Sequence, residues 1–147
     1  MSLKEHLNES MKEAMKARDD LRLSAVRMVR STVKNREIEQ KRDLNDQEVI
    51  EVISSLVKQR RESIRMYAEG GRKDLVCKEE AELAILLGFL PVQLTPAEIE
   101  ELVDRVIFES GAQGAKDMGR VMKAITPLTA GRADGRSVSD TVKRKLA

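Results

Sequence analysis

The residues of this chain that are best suited to chemistry are cations near its C-terminal end, around a glycine-bracketed turn at residues 131–136. The candidate contacts are Arg120, Lys123, Arg132, Arg136 and Lys143. Guanidinium and ammonium groups beside a turn that leads into a helix N-terminus can bind phosphate through charge and free backbone amides. The pattern indicates an RNA-binding surface, and it also fits an ordinary solvated basic helix face.

The charges of the chain are unevenly distributed along it. Its 27 basic and 25 acidic residues leave a net charge of +2, so any basic surface must be local. Residues 112–147 hold eight cations against three acids, whereas residues 95–111 hold five acids against Arg105 alone. We therefore predict an acidic helix followed by a basic C-terminal end.

The side chains do not assemble a recognisable catalytic group. The single cysteine, Cys77, and the single histidine, His6, lie far apart in sequence, and the chain has no Gly-rich phosphate loop. Glu79 and Glu82 are spaced like metal-binding carboxylates, but no Glu-x-x-His partner exists, which favours ion pairing. We predict no catalytic residue, no metal site and no cofactor.

The elements that must position these residues are helices. The chain has an aliphatic composition with 2% aromatic residues, and it is rich in Lys, Arg and Glu, which favours helix. Ser2 with Glu5 and Thr95 with Glu98 are spaced as capping boxes, and Pro96 suits a first helical position. We predict an all-α fold.

The helices are predicted to form two linked domains. A break at Pro91 to Leu94 separates an N-terminal bundle of about four helices, residues 1–94, from a C-terminal three-helix domain, residues 95–147. Further expected boundaries are helix caps at Asp74, Asp117 and Ser137 and a limit to the sixth helix at Pro127.

Two further groups of cations lie on the predicted N-terminal helices. Arg60 interrupts the apolar line of the third helix, where an unpaired buried charge would be costly. We expect its side chain to reach solvent or to pair with an acid such as Glu62 or Glu82. The alternative is a second basic surface, which Arg60 would form with Lys58, Arg61, Arg65 and Arg72. The second helix has a cationic edge at i, i+3 and i+7, formed by Arg27, Arg30 and Lys34.

Several motifs in fixed order carry a family resemblance. They are residues 58–64, 71–75, 82–83 leading to 90–91, 117–122, and the turn 131–135. Over its full length the chain resembles a stand-alone member of the GatB/YqeY family. This resemblance implies the same two-domain helical architecture.

The resemblance also implies a function. In tRNA-dependent amidotransferases, which convert glutamyl- or aspartyl-tRNA to the glutamine or asparagine form, a similar module is the tail of the B subunit and helps to hold the tRNA. The catalytic parts lie elsewhere in those enzymes. The resemblance therefore implies a non-catalytic accessory protein with tRNA as its partner, to which a glutamine-dependent carbon–nitrogen ligase label would attach only by association.

Two alternatives stay open. The chain could be a protein-interaction module that docks on an amidotransferase or an aminoacyl-tRNA synthetase through its acidic helix or its N-terminal bundle, without direct RNA contact. It could also be a small amidotransferase, although no nucleophile and base can be paired from the sequence.

The compartment is predicted from cysteine use and apolar runs. One cysteine excludes an intramolecular disulfide framework, and no secretory signal or stretch of roughly 20 apolar residues is present. We predict a cytoplasmic protein that is not associated with a membrane.

Overall fold

The computed structural model describes residues 2–147, which form seven α-helices, one short 3-10 turn and no strand. The helices are α1 (Leu3–Ala17), α2 (Asp20–Gln40), α3 (Asp46–Glu69), α4 (Lys73–Leu87), α5 (Pro96–Ser110), α6 (Met118–Thr129) and α7 (Gly135–Leu146). The all-α prediction is confirmed.

The helices group into two compact units. Unit 1 extends to Pro91 and contains α1 to α4, and unit 2 extends from Val92 to the end and contains α5 to α7. The predicted domains, 1–94 and 95–147, stay a prediction that separate expression of the two segments would test.

The core of unit 1 is built on α3. Val49, Val52 and Ile53 are fully buried and share one face of this helix, as their i, i+3 and i+4 spacing requires. This face packs against α4, α2 and α1, which contribute Leu86, Val29 and Leu7. Unit 1 is thus a four-helix arrangement around an aliphatic centre.

The core of unit 2 is formed by three mutually contacting helices. Its buried side chains are Ile99, Val103, Val106, Val121, Ile125, Val138, Val142 and Leu146. Each helix contributes apolar residues three or four positions apart, which places them on a single face. The opposite faces of α6 and α7 are left to polar residues, among them the candidate cations.

The two predicted capping boxes form at the starts of their helices. Ser2 with Glu5 caps α1, and Thr95 with Glu98 caps α5, which has proline in its first turn. The cap predicted at Asp74 is wrong, because α4 begins at Lys73 and the Asp74 carboxylate pairs with the guanidinium of Arg72.

The limits predicted for the last two helices are also wrong. The Asp117 carboxylate accepts from the Gln113 N–H at 2.9 Å, so it stabilises the turn before α6 instead of capping the helix. Pro127 lies inside α6, which continues to Thr129, and the Thr129 hydroxyl donates to a carbonyl of the preceding turn. Helix α7 begins at Gly135, before Ser137.

None of the described helices combines the length and the apolar character needed to cross a membrane.

The turn between α2 and α3 is held by one carboxylate. Arg42 donates to both oxygens of Glu48, at 2.8 and 2.6 Å, and the Asn45 N–H donates to the same carboxylate at 3.2 Å. The Arg42 guanidinium, followed by the Asn45 N–H, lowers the pKa of Glu48 to about 2. The ionised form of Glu48 is therefore favoured by folding.

Two residues of α6 should differ in how much their side chains contribute to the stability of unit 2. Ile125 is fully buried and Leu128 is 46% exposed. We expect Ile125→Ala to lower the free energy of unfolding by about 2–5 kcal/mol, because it leaves a cavity, and Leu128→Ala to change it by less than about 1 kcal/mol. Urea denaturation followed by circular dichroism measures both, and equal losses would contradict this core.

The Glu48 contacts predict a pH dependence. Because folding lowers the pKa of Glu48 from 4.5 to about 2, its stabilising contribution is complete above its unfolded pKa and is lost as the pH falls towards 2. We expect Glu48→Gln to destabilise the protein at neutral pH and to make little difference near pH 2.

Denaturation curves of both proteins across the acid range would measure this difference. The control is Glu51→Gln, which removes an exposed carboxylate of the same helix that has no hydrogen-bond or ion-pair partner among the described residues. A difference between wild type and Glu48→Gln that stays constant down to pH 2 would refute the prediction.

Candidate nucleic-acid interface

The structure places all five candidate cations on the surface of unit 2. Arg120 and Lys123 are one turn apart on α6, Arg136 and Lys143 lie on α7, and Arg132 lies in the turn between the two helices. All five residues are exposed. They differ in how much of their charge is already used by neighbours.

Arg120 is partly neutralised by a nearby acid. Its Nη2 atom lies 3.3 Å from the Asp117 Oδ1 atom. The Gln113 N–H, more than any other group, lowers the pKa of Asp117, and Arg120 and Lys116 lower it further. Asp117 therefore stays ionised beside Arg120 and reduces its attraction for an incoming phosphate.

Two backbone amides of the glycine turn form hydrogen bonds within the turn. The sequence pattern suggested that these amides were free. Gly131 has a φ of 73°, a conformation that residues with a side chain rarely adopt. The N–H groups of Arg132 and Ala133 both donate to the Thr129 carbonyl, at 2.9 and 3.1 Å. These two amides close the end of α6 and are not directed at a ligand.

The same turn is fastened to the first residues of unit 2. The Leu94 N–H donates to the Arg132 carbonyl at 2.7 Å, and the Gln93 side-chain amide donates to the Gly131 carbonyl at 2.7 Å. The Arg132 Nε–H donates to the Val92 carbonyl at 3.3 Å. Arg132 thus has a structural role in addition to the predicted phosphate contact.

Ion pairs between α5 and α7 neutralise the last turn of α7. Arg144 pairs with Glu100, and the Lys145 ammonium lies 3.3 Å from the Asp104 carboxylate. The sequence predicts an acidic α5 and a basic C-terminal end, but its pattern does not show that the two pair. Much of the basic excess is therefore cancelled within unit 2.

Lys123 and Lys143 are not paired with an acid in the described part of the chain. Both are exposed, and neither has an ion-pair or hydrogen-bond partner among residues 2–147. Of the predicted cations, these two are the most available for a phosphate group.

Arg60 forms the expected ion pair. Its Nε atom lies 3.0 Å from the Glu82 Oε2 atom and its Nη1 atom lies 3.4 Å from the Glu79 Oε2 atom, although the Nε–H does not point at the carboxylate. The Nη2 group donates to the Met28 Sδ atom at 3.0 Å. Glu62, the other expected partner, pairs with Arg65. Arg60 therefore links α3 to α4 and α2.

Within the described part of the chain, no group of three or more His, Cys, Asp and Glu side chains is arranged to hold a metal ion. Glu79 and Glu82, the two carboxylates with metal-like spacing, face Arg60 instead.

Fold and charge together define an all-helical protein of two compact units with exposed cations on the second. The profile of the family described as "Yqey-like protein" matches residues 4–146. The chain belongs to this family, which is found in the C-terminal tails of GatB proteins and in stand-alone YqeY proteins.

Curated relatives carry a different kind of name. The chain is 39% identical over 108 residues to "Altered inheritance of mitochondria protein 41, mitochondrial" of Lachancea thermotolerans, an alignment that covers 71% of this chain and 57% of the relative. The protein of the same name from Eremothecium gossypii is 38% identical over 101 residues, covering 68% of this chain and 55% of the relative. The chain spans about half the length of the curated relatives it matches.

The cytoplasmic prediction is contradicted by these comparisons, because the similar curated proteins are named as mitochondrial. A single cysteine and the lack of a long apolar run fit more than one cellular compartment. Composition could therefore not decide between them.

Removing Arg60 from its half-buried ion pairs should cost more stability than breaking an exposed ion pair. The side chains of Arg60, Glu79 and Glu82 are 19%, 14% and 11% exposed, whereas those of Arg65 and Glu62 are 53% and 43% exposed. We expect Arg60→Ala to lower the free energy of unfolding by about 1–3 kcal/mol, because it leaves two desolvated carboxylates unpaired.

The matched control is Arg65→Ala on the same helix. Because the Arg65 pair is solvated, we expect this change to cost less than about 1 kcal/mol. Thermal and urea denaturation of the two variants would show the difference, and a larger loss for Arg65→Ala would contradict the structural role of Arg60.

Proposed function

We propose that the protein is a non-catalytic accessory protein that interacts with tRNA through the outer faces of α6 and α7. The observation that carries the proposal is the family match over residues 4–146, because this family includes the tails of GatB proteins. The exposed, unpaired Lys123 and Lys143 support it by offering charge for phosphate contacts. Arg120, Arg132 and Arg136 are assigned secondary contacts on the same unit.

The proposed binding is directed at the phosphate backbone and at shape. Sequence-specific readers of RNA stack unpaired bases on aromatic side chains, and the only aromatic side chain of unit 2 is Phe108. Binding through Lys and Arg side chains releases counterions, so the affinity should fall steeply as salt is added.

Fluorescence anisotropy with labelled bulk tRNA tests the proposal directly. We expect the pure protein to bind, and the affinity to decrease between low and physiological salt. A lack of binding at low salt would refute a direct tRNA interaction.

The placement of the contacts is tested by removing the two unpaired lysines. We expect Lys123→Gln with Lys143→Gln to weaken tRNA binding and to reduce the slope of log affinity against log salt by about two, because each lysine neutralises one phosphate. The control is Lys58→Gln with Arg61→Gln, which removes the same charge from exposed, unpaired residues of α3. Equal weakening by both double variants would place the contacts elsewhere.

A second candidate function is docking on a protein partner, such as an amidotransferase or an aminoacyl-tRNA synthetase. It is favoured by Phe108, which is 87% exposed on the acidic helix α5. Aromatic side chains are enriched in protein–protein interfaces relative to the rest of the surface.

Nuclease treatment separates the two candidates. An association in cell extract that depends on tRNA should disappear when RNA is digested, whereas direct docking should persist and should be lost with Phe108→Ser. An association that persists after RNA is digested, and that Phe108→Ser does not weaken, would argue against docking through α5.

A further inference from the structure

A groove with a cationic wall lies between α1 and α2 in unit 1. Its volume is about 440 Å³, within the range typical of sites for small ligands. Arg27, Arg30 and Lys34 line one side, and Leu7 and Val33 contribute buried apolar surface. The sequence showed this row as a cationic edge, and the structure shows that it borders a concave surface.

The row has no carboxylate partner of its own. Arg27 and Lys34 are exposed and form no ion pair within residues 2–147. The Arg30 Nη1 group donates to the Met11 Sδ atom at 2.9 Å, and a thioether is a weak, neutral acceptor. The three positive charges are therefore not neutralised by a direct partner.

Glu37 is the one acid that lines the groove, and it already has partners. Glu37 pairs with Lys4 and accepts from the Leu44 N–H at 2.8 Å. Lys4, followed by the Leu44 N–H, lowers the pKa of Glu37, and Lys34 contributes at longer range. The Glu37 charge is thus shared mainly with Lys4 and leaves Arg27 and Arg30 uncompensated.

Such a row is unfavourable for the helix that carries it. Like charges three and four residues apart on a helix repel each other, and an oppositely charged neighbour usually relieves this repulsion. Arg42 and Arg60, two other cations of unit 1, have carboxylate partners in Glu48 and Glu82. The cations of the groove lack such a partner among the described residues and line one concave surface together, which fits an anion supplied from outside.

We propose that the α1–α2 groove binds an extended chain of phosphate groups. Seven residues of helix span about 10 Å, so the row from Arg27 to Lys34 is longer than a single phosphate and suits two or more in succession. Asn8 and Ser31 add hydrogen-bonding groups to the lining. Consecutive phosphates occur in free oligophosphates and in the backbone of RNA. The groove lies in unit 1, so the proposal does not rest on tRNA contacts by α6 and α7.

Two probes distinguish the sources of phosphate. Inorganic tripolyphosphate is titrated by calorimetry, and a labelled pentauridylate is titrated by fluorescence anisotropy with tripolyphosphate as competitor. Binding of tripolyphosphate alone assigns the groove to free oligophosphates, and binding of pentauridylate alone assigns it to the RNA backbone. Binding of neither probe at low salt overturns the proposal.

A charge-matched pair of variants locates the binding. We expect Arg27→Gln, Arg30→Gln, Lys34→Gln to weaken binding by about tenfold or more, because it removes the cations facing the phosphates. The control, Lys58→Gln, Arg61→Gln, Lys78→Gln, changes the net charge equally at exposed residues without ion pairs and should change binding by less than about twofold. Equal weakening by both triple variants would overturn the groove assignment.

A folding control accompanies these measurements. The groove variant should keep its helical circular dichroism and should not melt at a lower temperature, because the substitutions relieve repulsion. If it does not fold, Ser31→Glu provides the second test, since it keeps the row and adds a carboxylate to the lining. Unchanged binding by Ser31→Glu would then overturn the proposal. Lys123 and Lys143 are intact in all these variants, so tRNA binding through unit 2 and phosphate binding in the groove can fail separately.

Discussion

The ion pairs of Arg60 constrain how α3 and α4 pack in unit 1. Arg60 interrupts the apolar face of α3, the helix against which α4 packs most extensively, and it meets Glu79 and Glu82 of α4 there. Because Glu79 and Glu82 are one turn apart, sliding α4 by one turn would keep at most one of them beside Arg60 and would leave the other carboxylate unpaired, which is costly. An ion pair between two packed helices fixes their register more strictly than aliphatic contacts do, because its geometry is directional.

Carboxylate partners distinguish the cations that hold the structure together from those that are available to a ligand. Arg42 is bound to Glu48, and Arg144 to Glu100, and each contact fastens two elements of its unit. Lys123, Lys143 and the α2 row have no such carboxylate. Among the described residues Lys58, Arg61 and Lys78 are unpaired as well, so the lack of a carboxylate partner becomes informative only together with the surface on which a cation lies.

The sequence predicted those features that depend on residues close together in the chain. The capping boxes at Ser2 and Thr95 formed because the two residues of each box lie within one helical turn. Asp117 failed as a cap because its carboxylate met a competing amide, that of Gln113, in the turn before the helix. The pairing of α5 with α7 joins residues more than forty positions apart, which pattern alone cannot show. For the candidate site, the sequence therefore identified the cations but not which of them the fold neutralises.

The distribution of charge also explains why the net charge of +2 is a poor guide to what the protein binds. At physiological salt, charges more than about 8 Å apart on the surface are largely screened from each other. Several of the acids that balance the total sit in ion pairs, such as those of Glu48 and Glu82, where they neutralise their own partners. A polyanion approaching the α1–α2 groove would meet the local charge of Arg27, Arg30 and Lys34 and not the balanced total. Attraction at such a surface is therefore set by the local charge of the folded unit and not by the net charge of the chain.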